Sequence, residues 1–185
     1  MSTKLRRKTY RHGNVKAEAL AAAWDLVAGA GHEQLSLRAV AGVLGVAHRS
    51  LYNHFADRED LLDGVATDAY ARLAAILRKA LTPADYTAKY VRFALANRAI
   101  YALMTSRPHA TMKHNPPLQA AAHMVITEAM RIFCQDIEAP AERRRAVMKV
   151  YITLYGGISL YAAGILDQPN EKALIAELSA MLARL

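Results

Sequence analysis

Between Gln34 and Phe55 the chain runs through two short apolar stretches joined at Leu44-Gly45-Val46, and this spacing constrains the fold more than any other feature. Ala41 falls where the first helix must pass close to the second, so a small side chain is needed there. Four residues later Gly45 stands where the turn needs positive φ, which costs glycine little. Val40, Leu44, Val46 and Leu51 supply a small core that clamps the two helices together. That is the sequence form of a helix-turn-helix, whose second helix can enter the major groove of DNA. An ordinary helical hairpin can carry the same Leu-Gly-Val turn, so the flanks decide between them.

Upstream, Val15 to Ala28 reads as a first helix, with Val15, Ala19, Ala22 and Leu26 on one face and Leu20, Trp24 and Val27 beside it. Gly29 and Gly31 are expected to end it. Downstream, Asp57 has the character of an N-cap, with Glu59 and Asp60 in the first turn, where the helix dipole favours negative charge. The stripe Leu61, Leu62, Val65, Ala69, Leu73, Ile76 and Leu77 carries that helix to about Leu81. Thr82-Pro83-Ala84-Asp85 then restarts the chain with a threonine cap, proline at the first position and an acid three residues after the cap. The next helix should run to about Ser106 and bend near Asn97. A loop is expected over His109–Pro117, followed by helices at Leu118–Ile137, Ala141–Ile165 and from after Asn170 to about Ala183. No window alternates with period two. The fold class is all-α, about nine helices.

Charge and composition narrow the partners. The net charge is +8, and residues 1–16 supply six of those positive charges (Lys4, Arg6, Arg7, Lys8, Arg11, Lys16) with no acid. Ahead of a helix-turn-helix, such an arm can add phosphate or minor-groove contacts. Apolar residues make up 54% of the chain, ample for a core, yet no window approaches the roughly 18 uninterrupted apolar residues of a membrane span. The polar N-terminus is not a secretory signal. A single cysteine, Cys134, beside the apolar Ile132 and Phe133 suggests a buried thiol, and the cytoplasm is the expected location. No glycine-rich phosphate loop, nucleophile with a nearby base, or metal-ligand spacing is evident. No catalytic residue, metal or cofactor is therefore expected. His48 and His54 are six apart, off the spacing that places two ligands on one helix face. His54 is expected to pack against the first helix, and His109 and His114 to be solvated.

The residues from Val15 to Leu62 resemble the DNA-binding domain of the TetR family of one-component transcriptional regulators. The match is carried by Ala22-Ala23-Trp24-Asp25-Leu26, Gly31, Leu35-Ser36-Leu37-Arg38, Val40-Ala41, Gly45-Val46, Leu51-Tyr52-Asn53-His54-Phe55 and Arg58-Glu59-Asp60-Leu61-Leu62. The resemblance implies a three-helix DNA-binding domain at 15–57 behind a basic arm at 1–14, then a helical ligand-binding and dimerisation domain at 58–185. It also implies roles. Ser36 and Arg38 would reach a phosphate or a base from the start of the second helix, Arg38 gripping a guanine edge bidentately. Ala47, His48, Arg49 and Ser50 would open the recognition helix. Tyr52 would donate to a phosphate, Asn53 would contact a base or the backbone, and Arg58 would hold the backbone across the groove. Where the family often has serine or threonine this chain has Ala47, which removes a cap. Arg49 replaces a small residue or proline, and a guanine preference in the half-site is expected.

Later, Tyr90 to Asn97 and Tyr101 to Met104 resemble one branch of TetR ligand-binding domains, in which Trp, His and Gly mark a later helix. Tyr151, Tyr155 and Gly156 stand there instead, so only the glycine agrees. This region is rich in aromatic and methionine side chains, Met112 among them, and Phe93, Tyr101, Met104, His123, Met124, Tyr151 and Tyr155 are the candidate ligand-binding residues. A bundle core accounts for many such side chains. Tyrosines and a histidine in an apolar wall are also the polar fixtures that orient a ligand. They point to a small apolar or aromatic effector with one or two hydrogen-bonding groups. Gly156-Gly157 suggests close helix approach or room beside a ligand. Met148, Ile152, Leu160 and Ala163, with Leu174, Leu178 and Leu182, are the expected homodimer surface.

The expectation is thus a homodimeric, ligand-released repressor on a palindromic operator whose half-sites lie about 34–36 Å apart. The alternative is an accessory or nucleoid-type DNA binder without a small-molecule pocket.

Overall fold

A computed structural model of the chain describes residues 15–107 and 112–183; the basic arm at 1–14 and His109 lie outside them. Among the described residues there are nine α-helices, one 3-10 turn and no strand. They are α1 Val15–Ala30, α2 Leu37–Leu44, α3 His48–Leu51, α4 Arg58–Leu77, α5 Pro83–Ala96, α6 Arg98–Ser106, α7 Pro116–Phe133, α8 Pro140–Ala162 and α9 Glu171–Leu182. The 3-10 turn, His32–Gln34, lies between α1 and α2.

Helix starts follow local chemistry closely. At α4 the Asp57 carboxylate accepts from the Asp60 N–H at 2.8 Å, and Asp60 reaches back to the Ala56 N–H at 2.9 Å. The same reciprocal box opens α5: Thr82 accepts from the Asp85 N–H at 3.2 Å and Asp85 from the Leu81 N–H at 3.1 Å. Asn115 caps α7 by accepting from Leu118, with Pro116 in the first turn, so the helix begins inside the segment expected to be a loop. The expected bend near Asn97 is a break between α5 and α6, with Asn97 at φ −127° and its amide donating to the Phe93 carbonyl at 2.9 Å.

Helix ends depart more. Helix α1 runs on to Ala30, because Gly29 stays helical and Gly31, at φ 85°, makes the turn. Helix α4 stops at Leu77 instead of near Leu81. There Arg131 of α7 donates to the carbonyls of Leu77, Arg78 and Ala80 at 3.0–3.2 Å. A guanidinium from a distant helix thus satisfies carbonyls that a helix end leaves unpaired. Helix α8 ends at Ala162, where Gly164 adopts φ 68° and the Ile165 N–H closes onto the Leu160 carbonyl at 2.9 Å.

The long helix α4 is the spine. Leu61, Leu62, Val65, Ala66, Ala69, Leu73, Ala74 and Leu77 are buried along it, against α1 at one end and against α6 and α7 further on. At Gly64 a Cβ would lie 2.7 Å from Leu20 Cδ2, so α1 and α4 approach closely there. Gly157 is the second close approach: a Cβ would lie 2.3 Å from Leu178 Cδ2, whereas at Gly156 it would meet nothing within 4 Å. Leu174, Leu178 and Leu182 are buried within the protomer, between α5 and α8, which corrects the expectation that they face a second subunit. They follow the apolar stripe of α9, and an apolar stripe is equally suited to its own chain's core. The exposed apolar residues of this region are Met148, Tyr151, Ile152, Tyr155 and Leu160 on α8 and Met181 on α9. Cys134 is buried as expected; its thiol donates to the Arg143 carbonyl at 3.8 Å, and burial pushes its pKa up.

Candidate nucleic-acid interface and ligand cavity

The turn between α2 and α3 forms as its residues require. Gly45 has φ 68° and caps α2, with Val40, Ala41 and Leu51 buried and Leu44 and Val46 packed at the edge of the core. Ser36 caps α2 by accepting from the Ala39 N–H at 3.1 Å, so its hydroxyl already serves the helix while remaining able to donate outward. Helix α3 is a single turn. Ala47, at its N-cap position, offers no side-chain bond, and Ser50 Oγ instead donates to the Ala47 carbonyl at 2.6 Å.

Arg38, Ala47, His48, Arg49, Tyr52 and Asn53 are all exposed on this module. The His48 and Tyr52 rings meet edge to face at 5.1 Å. This cluster combines two guanidiniums, an imidazole, a phenol and an amide, the donors that phosphate and base edges accept from. His54 is exposed, which corrects the expectation that it packs against the first helix; its neighbour Phe55, 2% exposed, is the side chain turned inward. His114 is exposed.

Arg58 is a correction. Its Nε donates to the Leu35 carbonyl at 2.8 Å and its Nη2 to the carbonyls of His32 and Glu33 at 2.7 and 3.3 Å, while Nη1 pairs with Glu59. The guanidinium is spent on tying the start of α4 to the turn before α2. A phosphate would have to compete with these three carbonyls for the guanidinium.

Behind the module, α4 to α8 enclose a cavity of about 540 Å³. Of the expected ligand-binding residues, Tyr101, Met104 and Tyr151 line it, and Met112 joins them. Phe93 is buried but does not line it; His123, Met124 and Tyr155 are on the exposed side of their helices. Tyr155 stacks on Tyr151 at 5.7 Å from outside the cavity. On α7 the cavity wall is Ala122, Val125, Ile126 and Ala129, the phase opposite to His123 and Met124. The polar lining that sequence reading missed is Tyr70 on α4, Tyr86 and Tyr90 on α5, and Arg107 just past α6. The i, i+4 spacing of Tyr86 and Tyr90 was the available signal; nothing local to Arg107 marked it.

Five tyrosines therefore share one apolar cavity. Tyr70 donates to the Met104 carbonyl at 3.0 Å. Tyr90 stands edge-on to Tyr101 at 6.1 Å, and the buried Tyr101 hydroxyl has no hydrogen-bond partner. Burial is the main force raising the pKa of the phenols of Tyr70, Tyr86 and Tyr101, and that of Tyr90 is pushed up to about 12. All are neutral donors near neutral pH. At one end Arg107 Nη1 pairs with Glu59 at 2.7 Å and with Asp63 at 3.2 Å, both on the first turns of α4. Asn115 donates to the other oxygen of Asp63 at 3.0 Å. Arg107 Nε is buried without a partner.

Among the described residues no group of three or more His, Cys, Asp or Glu could hold a metal ion, and no helix is long and apolar enough to cross a membrane.

Residues 19–65 match the family model of bacterial regulatory proteins of the tetR family, and residues 84–185 match the tetracyclin repressor-like C-terminal domain. Among solved structures the chain is similar to a protein of unknown function from Rhodococcus sp. RHA1, with 28% identity, 96% of this chain and 97% of that one covered, and TM-score 0.78. It is also similar to a transcriptional regulator of the TetR family from Vibrio parahaemolyticus, with 22% identity, coverage of 91% and 96%, and TM-score 0.68. A TetR variant from Acinetobacter baumannii AYE in complex with minocycline has 21% identity, coverage of 91% and 94%, and TM-score 0.66. No curated protein matches the chain in sequence.

Proposed function

The chain belongs to the tetR family of transcriptional regulators, with a DNA-binding and a ligand-binding domain, and from that premise we propose that it is a homodimeric repressor released from a palindromic operator by a small, largely apolar effector. The observation that carries this reading is the tyrosine-lined cavity built directly against α4, the helix whose first residue holds the DNA-reading module in place. The DNA-binding domain at 15–57 reads bases through Arg38, His48 and Arg49 and grips phosphates through Tyr52 and Asn53, with Ser36, Ala47 and Ser50 shaping the approach. The arm at 1–14 adds phosphate or minor-groove contacts. The domain at 58–185 binds effector and partner subunit. The exposed apolar face of α8, with Met148, Tyr151, Ile152, Tyr155 and Leu160, is the surface offered to a second copy.

Release follows from differential affinity. An effector that binds better when α4 is displaced shifts the separation of the two recognition helices and so weakens operator binding by the same coupling. Of the Trp, His and Gly that mark one branch of the family only Gly156 agrees, so the pocket chemistry is read from this chain's own residues. Nothing in the reading calls for catalysis, and the DNA partner places the protein in the cytoplasm.

The test is a gel shift on DNA upstream of its own gene, across salt concentration and with added hydrophobic metabolites. Affinity is expected to fall steeply with salt, because phosphate contacts release counterions, and one effector class is expected to displace the DNA. Absent or salt-insensitive binding overturns the reading. Salt-sensitive binding that no small molecule relieves favours an accessory DNA binder.

A further inference from the structure

Two buried donors on residues that line the cavity are open to an acceptor: the Arg107 Nε–H, which has no partner, and the Tyr101 hydroxyl, whose polar neighbour is the Tyr90 phenol. Unsatisfied buried donors are rare and costly, and they gain most from a matched acceptor. The rest of the wall is apolar side chains, tyrosine rings and Thr105, whose hydroxyl is bonded to its own helix at the Tyr101 carbonyl.

The charge around Arg107 is arranged as a chain: Arg58, Glu59, Arg107, Asp63, then the amide of Asn115. Its near end is bonded to the carbonyls of His32, Glu33 and Leu35 beside the helix-turn-helix. Its middle member, Arg107, lines the cavity. Arg107 holds two carboxylates of α4, Glu59 and Asp63, through Nη1 and is 12% exposed, so little water screens it.

We propose that the effector is a largely apolar monoanion whose acidic group binds Arg107 and Tyr101, and that this pairing competes with Glu59 and Asp63 for the same guanidinium. The inference rests on the ligand-responsive reading above and names its ligand class. A third carboxylate or sulfonate beside one guanidinium weakens the other two pairings. Asp63 is then left with Asn115, and Glu59 with Arg58, so the first turns of α4 lose their tie to the end of α6. Linkage makes the effect reciprocal: whatever frees Arg107 from α4 should favour the anion.

Two fluorescent probes test this on the full chain: the anionic anilinonaphthalene sulfonate and its neutral counterpart N-phenylnaphthylamine. The native protein is expected to bind the anion about tenfold or more tightly than the neutral probe, the worth of one charge-assisted hydrogen bond. Arg107→Met is expected to bring that ratio close to one while leaving the neutral probe's affinity unchanged. Asp63→Asn, which keeps a partner for Asn115, removes one of the two carboxylates that hold the guanidinium and leaves Glu59. It is expected to tighten the anion severalfold and to weaken binding to an operator recovered by selection from random duplexes. Equal affinity for both probes in the native protein overturns the anion proposal and leaves the cavity reading standing. So does a preference that survives Arg107→Met in a variant that melts as the native chain does. If neither probe binds, the ligand-responsive reading itself fails. An Asp63→Asn variant that changes neither affinity overturns the competition.

Discussion

The DNA-reading module and the cavity hold their polar groups in opposite ways. On the module, Arg38, Arg49, Tyr52 and Asn53 remain in water until a polyanion arrives. The phosphate pairing proposed for them is opposed by strong hydration and screened by salt, so it would be adjustable in strength and sensitive to ionic conditions. In the cavity, Tyr86, Tyr90 and Tyr101 have already lost their water on folding. The cost of that burial is met by the core, and a matched acceptor faces little further desolvation of the protein. The exposed set gives reach and salt dependence, and the buried set gives discrimination. Arg58 and Arg107 sit between the two and share Glu59.

Arg58→Ala breaks the comparison most severely, because the residue lies among DNA-facing groups but bonds inward. Its loss strips three carbonyls of a charged donor and should cost on the order of 2 kcal/mol of stability, allowing for a half-exposed side chain. Thermal melting should show it, and the slope of operator affinity against salt should be unchanged once the folded fraction is accounted for. A slope reduced by about one would make Arg58 a phosphate contact after all. Arg49→Ala should leave melting alone and cost about 1–3 kcal/mol of operator binding, concentrated at one base pair, if its fork reads guanine. A loss equal for every sequence in a binding-site selection would assign it to phosphate.

The glycine pair sharpens the contrast between packed and open positions on one helix. Gly157→Ala drives a Cβ into Leu178 and should destabilise by about 1–3 kcal/mol in denaturant unfolding. Gly156→Ala meets nothing within 4 Å and should stabilise by up to about 1 kcal/mol through helix propensity. Opposite signs are the result to look for.

The smallest effect is electrostatic. Arg107, first by hydrogen bond and then by charge, with Arg58 adding to it, holds the Glu59 carboxyl below the usual glutamate range. A depressed carboxyl contributes stability above its unfolded pKa and loses it as pH falls through the lower folded value. Titration of Glu59 by NMR should give a midpoint below that of a free glutamate, and Arg107→Met should raise it toward the ordinary value. A midpoint that does not move would remove Arg107 as its main partner.

How far the sequence could be read depended on the range of the forces involved. Asp57 and Thr82 announced helix starts because a capping box is closed by residues three apart. Gly45 announced the turn because its positive φ is a property of one residue. The end of α4 did not announce itself, since the group that satisfies it is Arg131, 51 residues beyond Ala80. The cavity was half legible for the same reason. Periodicity marked α7 as amphipathic, yet which face meets the hollow was decided by its packing on α4, which turned Ala122, Val125 and Ala129 inward and left His123 and Met124 outside.

The amino-acid sequence by itself determined the helices, most of their caps, the helix-turn-helix and the exposed basic character of its reading end. Each of these is written in residues within a turn or two of one another. Tertiary structure alone decided that Arg58 bonds inward, that Leu174, Leu178 and Leu182 are core, and that Tyr70, Tyr86, Tyr90, Tyr101 and Arg107 converge on one hollow. Convergence depends on the angles at which whole helices cross, and those are set by the sum of many contacts that no single stretch of sequence contains.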